Sequence, residues 1–184
     1  GSMPRFLGVF ARPELIGTVL VVLAAAALPF LLPFAGIIAD AREVLLTSPE
    51  QYDLIVSEPS NPYRAGVASL YTREFYQAVD RRLAPGGIFS QWIQAYEIDT
   101  QTVRTIYATL ASVFPQVETW QTMGKDLLVL CSLAPRTHSV PQLRRRLAAE
   151  PFRTALRVSW CAIDLEGFLS RFVARPSFAR TVAG

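Results

Sequence analysis

Residues 52–92 read YDLIVSEPSNPYRAGVASLYTREFYQAVDRRLAPGGIFSQW, and the order of elements along this stretch decides the fold. Tyr52-Asp53-Leu54-Ile55-Val56 is a continuous run of the kind found in strands buried on both faces. It ends at Ser57-Glu58-Pro59-Ser60-Asn61-Pro62, where two prolines hold the residues before them extended and predict a loop. Phe75, Tyr76, Val79 and Leu83 then share one face of a helix, which Pro85-Gly86-Gly87 is expected to stop. A further strand, Ile88-Phe89-Ser90-Gln91-Trp92-Ile93, follows directly. Strand, crossover helix and strand in this order build a parallel sheet.

Working outward, Gly36-Ile37-Ile38-Ala39 predicts another strand, followed by Asp40 and a short helix around Arg42 to Leu46. Downstream, Asp99 suits an N-cap, and Val103, Ile106, Tyr107, Leu110 and Val113 have the spacing of a helix covering the sheet, ended by Phe114-Pro115. Val117-Glu118-Thr119-Trp120 and Leu127-Leu128-Val129-Leu130-Cys131 flank Met123-Gly124-Lys125-Asp126, a hairpin-like end to the sheet. Residues 141–149 and 164–174 predict amphipathic helices, the second capped by Asp164 and burying Leu165, Phe168, Leu169 and Phe172. The expected fold is α/β: a partial Rossmann-like sheet of the class I methyltransferase type, flanking helices and an N-terminal apolar helix. Residues 35–136 would form the sheet domain and 137–184 its C-terminal helical segment. Residues 1–34 would lie outside it, with Gly1-Ser2-Met3 reading as a tag remnant.

The apolar helix is expected at residues 15–34, LIGTVLVVLAAAALPFLLPF, which carry no charge and match the roughly 20 residues needed to cross a bilayer core. A transmembrane helix is the first reading and a buried core helix the alternative. Pro29 and Pro33 would kink or end it. Arg5 and Arg12 precede the run and Arg42 follows it, a charge balance that weakly places the sheet outside the cytoplasm.

Composition excludes several classes. The net charge is only +3, and seventeen arginines are scattered apart from Arg144-Arg145-Arg146, so no basic stripe tracks a phosphate backbone and no nucleic-acid partner is expected. Cys131 and Cys161 lie in apolar surroundings without a CxxC pair and are expected to be buried free thiols. His138 is the sole histidine, which leaves neither a zinc ligand set nor a Ser-His-Asp triad, and no metal is expected.

In open α/β sheets, ligands bind beyond the carboxyl ends of the strands. Asp40, Glu58, Asn61 and Gln91 are expected together on that rim. Each also has an ordinary structural role open to it: a helix cap, a solvated acid, a turn amide, and a side chain bonded to backbone.

The run from Tyr52 to Trp92 resembles the spermidine synthase family, in its strand, acidic loop, substrate-flanking segment, helix and next strand. It is most similar to bacterial members joined to membrane domains, and the likeness extends from about Ile37 to Ala183. The resemblance implies transfer of an aminopropyl group from decarboxylated S-adenosylmethionine to a diamine such as putrescine. It places Glu58 at the family's catalytic aspartate, Asp40 at the acid that holds the adenine amino group, and Asn61 and Gln91 at substrate-flanking positions. A carboxylate there can remove the amine proton before the lone pair attacks carbon beside the sulfonium. The resemblance also implies a membrane protein with the catalytic-type domain on the cytoplasmic side, and it is compatible with a homo-oligomer.

Two substitutions depart from the family pattern. Glutamate at 58 carries its carboxylate one methylene further out, and Asn61 stands where a second aspartate usually contacts the amine. The glycine-rich turn and the ribose-binding acid of such sites have no counterpart in the sequence, whose one adjacent glycine pair is Gly86-Gly87. Weak or absent turnover by this chain is therefore expected. Another S-adenosylmethionine-dependent transferase and a non-catalytic membrane or assembly module that kept the fold are the alternatives.

Overall fold

The computed structural model describes residues 6–10, 41–95, 98–122, 124 and 126–183. The apolar run 15–34, the strand expected at 36–39, and Asp40 lie outside the described residues.

A six-stranded mixed sheet organises the chain. Its strands are β1 (Phe6–Phe10), β2 (Tyr52–Glu58), β3 (Leu83–Ile93), β4 (Gln116–Gln121), β5 (Leu127–Ser132) and β6 (Phe172–Ala174). They lie in the order β1-β2-β3-β5-β4-β6. The first three are parallel, and β5, β4 and β6 continue antiparallel. Parallel strands followed by an antiparallel finish match the expectation. The sequence gives no signal for β1, which brings residues 6–10 into the sheet beside β2.

The helices are α1 (Ala41–Thr47), α2 (Arg73–Arg82), α3 (Thr100–Ala111), α4 (Val140–Ala148), α5 (Phe152–Trp160), α6 (Leu165–Leu169) and α7 (Pro176–Ala183). A 3-10 turn, Ala68–Tyr71, precedes α2. Thr72 caps α2 by accepting from the Phe75 amide, and Asp99 caps α3 by accepting from the Thr102 amide at 2.6 Å. Each occupies a backbone donor that the first turn leaves without a partner.

Leu83 corrects the sequence reading. It is not the last residue of α2's apolar face but the first of β3, extended, buried and paired with Tyr52. The register then slips, and Leu54 pairs with Ile88. Gly86 absorbs the detour at φ +79°, and Gly87 lies so close to the backbone oxygens of Ala84 and Tyr52 that a Cβ would sit 2.9 and 3.0 Å from them.

Strand alternation sorts the side chains onto two faces. Ile55, Phe89, Ile93, Val117, Val129 and Cys131 face α2 and α3, where they join Phe75, Tyr76, Val79, Ile106, Tyr107, Leu110 and Phe114 in the main core. Its centre is aromatic, with Phe89 stacked on Phe114 at 5.7 Å and edge-on to Phe75 at 6.3 Å. Val56, Glu58, Ser90, Trp92, Leu128 and Trp120 occupy the opposite face. There Trp120, Trp160 and Phe168 form a second cluster with Leu156 and Ala162.

The C-terminal segment departs most from expectation. The helix expected over 164–174 is only α6, capped by Asp164, after which the chain turns and adds β6 to the sheet edge. Leu165 is buried as expected, but Leu169 and Phe172 are exposed. Helix α5 was not anticipated, and it buries Ala155, Leu156 and Trp160. Cys131 is a buried free thiol, whereas Cys161 is exposed, correcting that reading. Cys161 follows α5 in the left-handed region at φ +47°, ending the helix before buried Ala162.

Candidate functional site

Glu58 is the last residue of β2, and its side chain is 4% exposed. β2 itself lies between β1 and β3 in the sheet. Oε2 has no hydrogen-bond partner among the described residues. Loss of water contact, first, and the nearby negative charge of Asp126, second, push its pKa up to about 7.

Asp126 immediately precedes β5. Because β5 runs antiparallel to β3, its beginning lies at the carboxyl end of β3, and Ile93 pairs with Leu127. Trp92 lies on the same sheet face as Glu58, with its indole near the Asp126 carboxylate. Burial raises the Asp126 pKa to about 6, and the Trp92 indole partly offsets that rise. Ser90, one alternation further back on this face, is fully buried, and its hydroxyl has no partner among the described residues. The resulting arrangement is a half-buried to buried patch of two carboxylates, an indole and a hydroxyl on one sheet face toward the carboxyl ends of β2 and β3. It can accept a proton near neutral pH and can hold a cation.

Gln91 is not part of that patch. It pairs with Ser57 and points to the opposite face, so the expectation that it shares a rim with Glu58 is corrected by the register. Its Oε1 accepts from the Tyr76 hydroxyl at 2.7 Å, and its Nε2 donates to the Leu70 carbonyl at 3.3 Å. Gln91 thereby ties β3 to α2 and to the 3-10 turn.

Asn61 is buried in the loop after β2. Its side-chain amide donates to the Tyr63 hydroxyl at 2.7 Å, and its backbone carbonyl accepts from the Arg64 amide. Tyr71 donates to the Ser60 carbonyl at 3.1 Å, pinning the same loop. Beside it, Pro62, Tyr71, Asp99, Thr102 and Ile106 line a cavity of about 220 Å³. Among the described residues no cluster of three or more His, Cys, Asp or Glu could hold a metal ion. Likewise, none of the described helices is long and apolar enough to cross a membrane.

Asp126, Trp92 and Ser90 were not singled out from sequence as site residues. Asp126 was read only as part of a turn, since nothing local distinguishes an acid in a hairpin from one at a ligand rim. The distinction comes from the antiparallel return of β5 onto β3.

The sequence profile of the spermine/spermidine synthase domain matches residues 35–127. A polyamine aminopropyltransferase of Nitrosomonas europaea is 35% identical over 77 residues, a match that covers 42% of this chain and 23% of that protein. The chain thus spans about a quarter of the length of the curated relatives it matches. Among solved structures, a spermidine synthase in complex with the transition-state analogue AdoDATO superposes with a TM-score of 0.66 at 17% identity, covering 99% of this chain and 70% of that one. Human methyltransferase-like protein 13 in complex with SAH gives a TM-score of 0.57 at 19% identity, covering 84% of this chain and 82% of that one. The fold is therefore Rossmann-like, of the methyltransferase type, with a mixed sheet and flanking helices. With the profile spanning half of its residues and the strand, loop and helix order of 52–92 in place, the chain belongs to the spermine/spermidine synthase family.

Proposed function

We propose that the chain carries the amine-activating side of an aminopropyl transfer site, with decarboxylated S-adenosylmethionine as donor and a diamine such as putrescine as acceptor. Glu58 is the general base. Its carboxylate takes one proton from the acceptor ammonium, and the freed nitrogen lone pair bonds to the carbon beside the sulfonium. The carbon–sulfur bond breaks with its electron pair passing to sulfur, which leaves as a neutral thioether. A pKa near neutrality suits a base that must be ionised yet still basic. Asp40 is proposed to hold the adenine and Asn61 to line the approach of the amine. Gln91 is proposed to act indirectly, by holding the Leu70 turn and Tyr76 behind that loop.

The observation that carries this reading is the buried, incompletely bonded carboxylate of Glu58 at a strand's carboxyl end. The direct test is mass spectrometry of products after long incubation with putrescine and either decarboxylated or ordinary S-adenosylmethionine. Aminopropylated product from the decarboxylated donor, lost in Glu58→Gln, is the expected result. Methylated product from the ordinary donor would support the second reading, another S-adenosylmethionine-dependent transferase, which the methyltransferase likeness keeps open.

A further inference from the structure

We propose that Asp126 and Glu58 form one subsite for the ammonium group of the acceptor, with Asp126 supplying the negative charge that Asn61 does not. This rests on the reading of Glu58 as the residue that meets the amine, and it adds a residue from a different part of the chain.

The argument is topological first. β2 and β3 run parallel, so Glu58 and Trp92 reach the same end of the sheet on the same face. β5 returns antiparallel to β3, so the residue before it, Asp126, is delivered to that end from the other side. Trp92 stands between the two strands that carry the acids, and its indole lies close enough to the Asp126 carboxylate to lower that group's pKa.

Unmet bonding capacity is the second, separate observation. Glu58 is 4% exposed with Oε2 unpartnered, Ser90 is 0% exposed with its hydroxyl unpartnered, and the Oδ1 of Asp126 likewise has no partner among the described residues. Buried polar atoms are nearly always bonded, so three such acceptors on one face mark a place that a donor-rich group completes. A primary ammonium carries three N–H donors and no acceptor. Its positive charge would also offset the loss of water contact and, second, the Asp126 repulsion that together hold Glu58 partly protonated. A neutral hydroxyl ligand could satisfy at most one acceptor and none of the charge.

The test is calorimetric titration of the chain at pH 8 with 1,4-diaminobutane and with 1,4-butanediol as its neutral counterpart. The diamine is expected to bind and the diol not. Asp126→Asn should weaken diamine binding by about tenfold or more, the scale of one charge-assisted hydrogen bond, while Asp126→Glu should restore most of it. Trp92→Phe, which removes the indole N–H beside Asp126 and part of the ring's volume, should give a smaller loss in the same direction and serves if Asp126→Asn does not fold. A loss with Glu58→Gln but none with Asp126→Asn or Trp92→Phe would overturn this inference while leaving Glu58 in its proposed role. No diamine binding by the unmodified chain, or equal binding of the diol, would overturn both.

Discussion

The hydroxyl of Tyr76 donates to Oε1 of Gln91 across 2.7 Å, with both side chains fully buried between α2 and β3. Burial holds the Tyr76 phenol well above its ordinary pKa, so it stays a donor across the working range of pH. Its partner is an amide whose Nε2 also binds the Leu70 carbonyl. The pair welds the helix to the strand that carries Trp92.

Tyr76→Phe should therefore destabilise the fold without touching the patch around Glu58. It leaves Gln91 Oε1 buried and unsatisfied, at a cost of about 1–3 kcal/mol. Chemical denaturation should give a lower midpoint with an unchanged slope. A midpoint equal to that of the unmodified chain would show that Gln91 finds another donor.

This bond also shows what the sequence made legible. The strand over 52–58, the amphipathic helix beginning near Phe75 and the strand through Gln91 were visible because apolar spacing reports which face of an element is buried. Spacing did not report where α2 ends, because Leu83 is apolar in either state and continues the helical period. It also did not report that Glu58 and Gln91 point to opposite faces. That depends on the register, Ser57 opposite Gln91, which a slip at the Gly86-Gly87 detour determines. The C-terminal third was least legible, since α5, α6 and β6 are short and are set by packing on Trp120 rather than by their own periodicity.

The detour itself can be probed. Gly86→Ala introduces a side chain at φ +79° into open space, so its cost is backbone strain of about 1–2 kcal/mol. Gly87→Ala instead drives a Cβ against two backbone oxygens that are held by the Tyr52 and Leu83 pairing. It should be the more damaging of the two, with a lower unfolding midpoint by circular dichroism. The reverse order would mean that the strand pairing there yields easily.

Stability should also depend on pH in a direction set by Glu58. Its folded pKa of about 7 lies above the ordinary 4.5, so the folded state binds more protons than the unfolded one between these values. Stability must then fall as pH rises through that window, by up to about 1.4 kcal/mol per pH unit from this group. Asp126, raised from 3.8 to about 6, acts in the same sense at lower pH. Glu58→Gln should flatten the decline between pH 5 and 7 when unfolding midpoints are compared. An identical pH profile in the variant would show that Glu58 titrates as an ordinary exposed acid.

The catalytic proposal makes the complementary demand on rate. As a general base, Glu58 works only when ionised, so kcat/KM for aminopropyl transfer should rise with pH through an apparent pKa near 7. Asp126 contributes to that value by its negative charge, and Asp126→Asn should move the acid limb to lower pH while raising KM for the diamine. Glu58→Gln keeps the shape but cannot take the proton, and it should lower kcat by roughly 10²–10⁴ with a much smaller change in KM. A pH profile on the unmodified chain and on both variants distinguishes the two acids. An unchanged acid limb in Asp126→Asn would mean that the two carboxylates do not sense each other during turnover, and an active Glu58→Gln variant would mean that the amine arrives already neutral or loses its proton elsewhere.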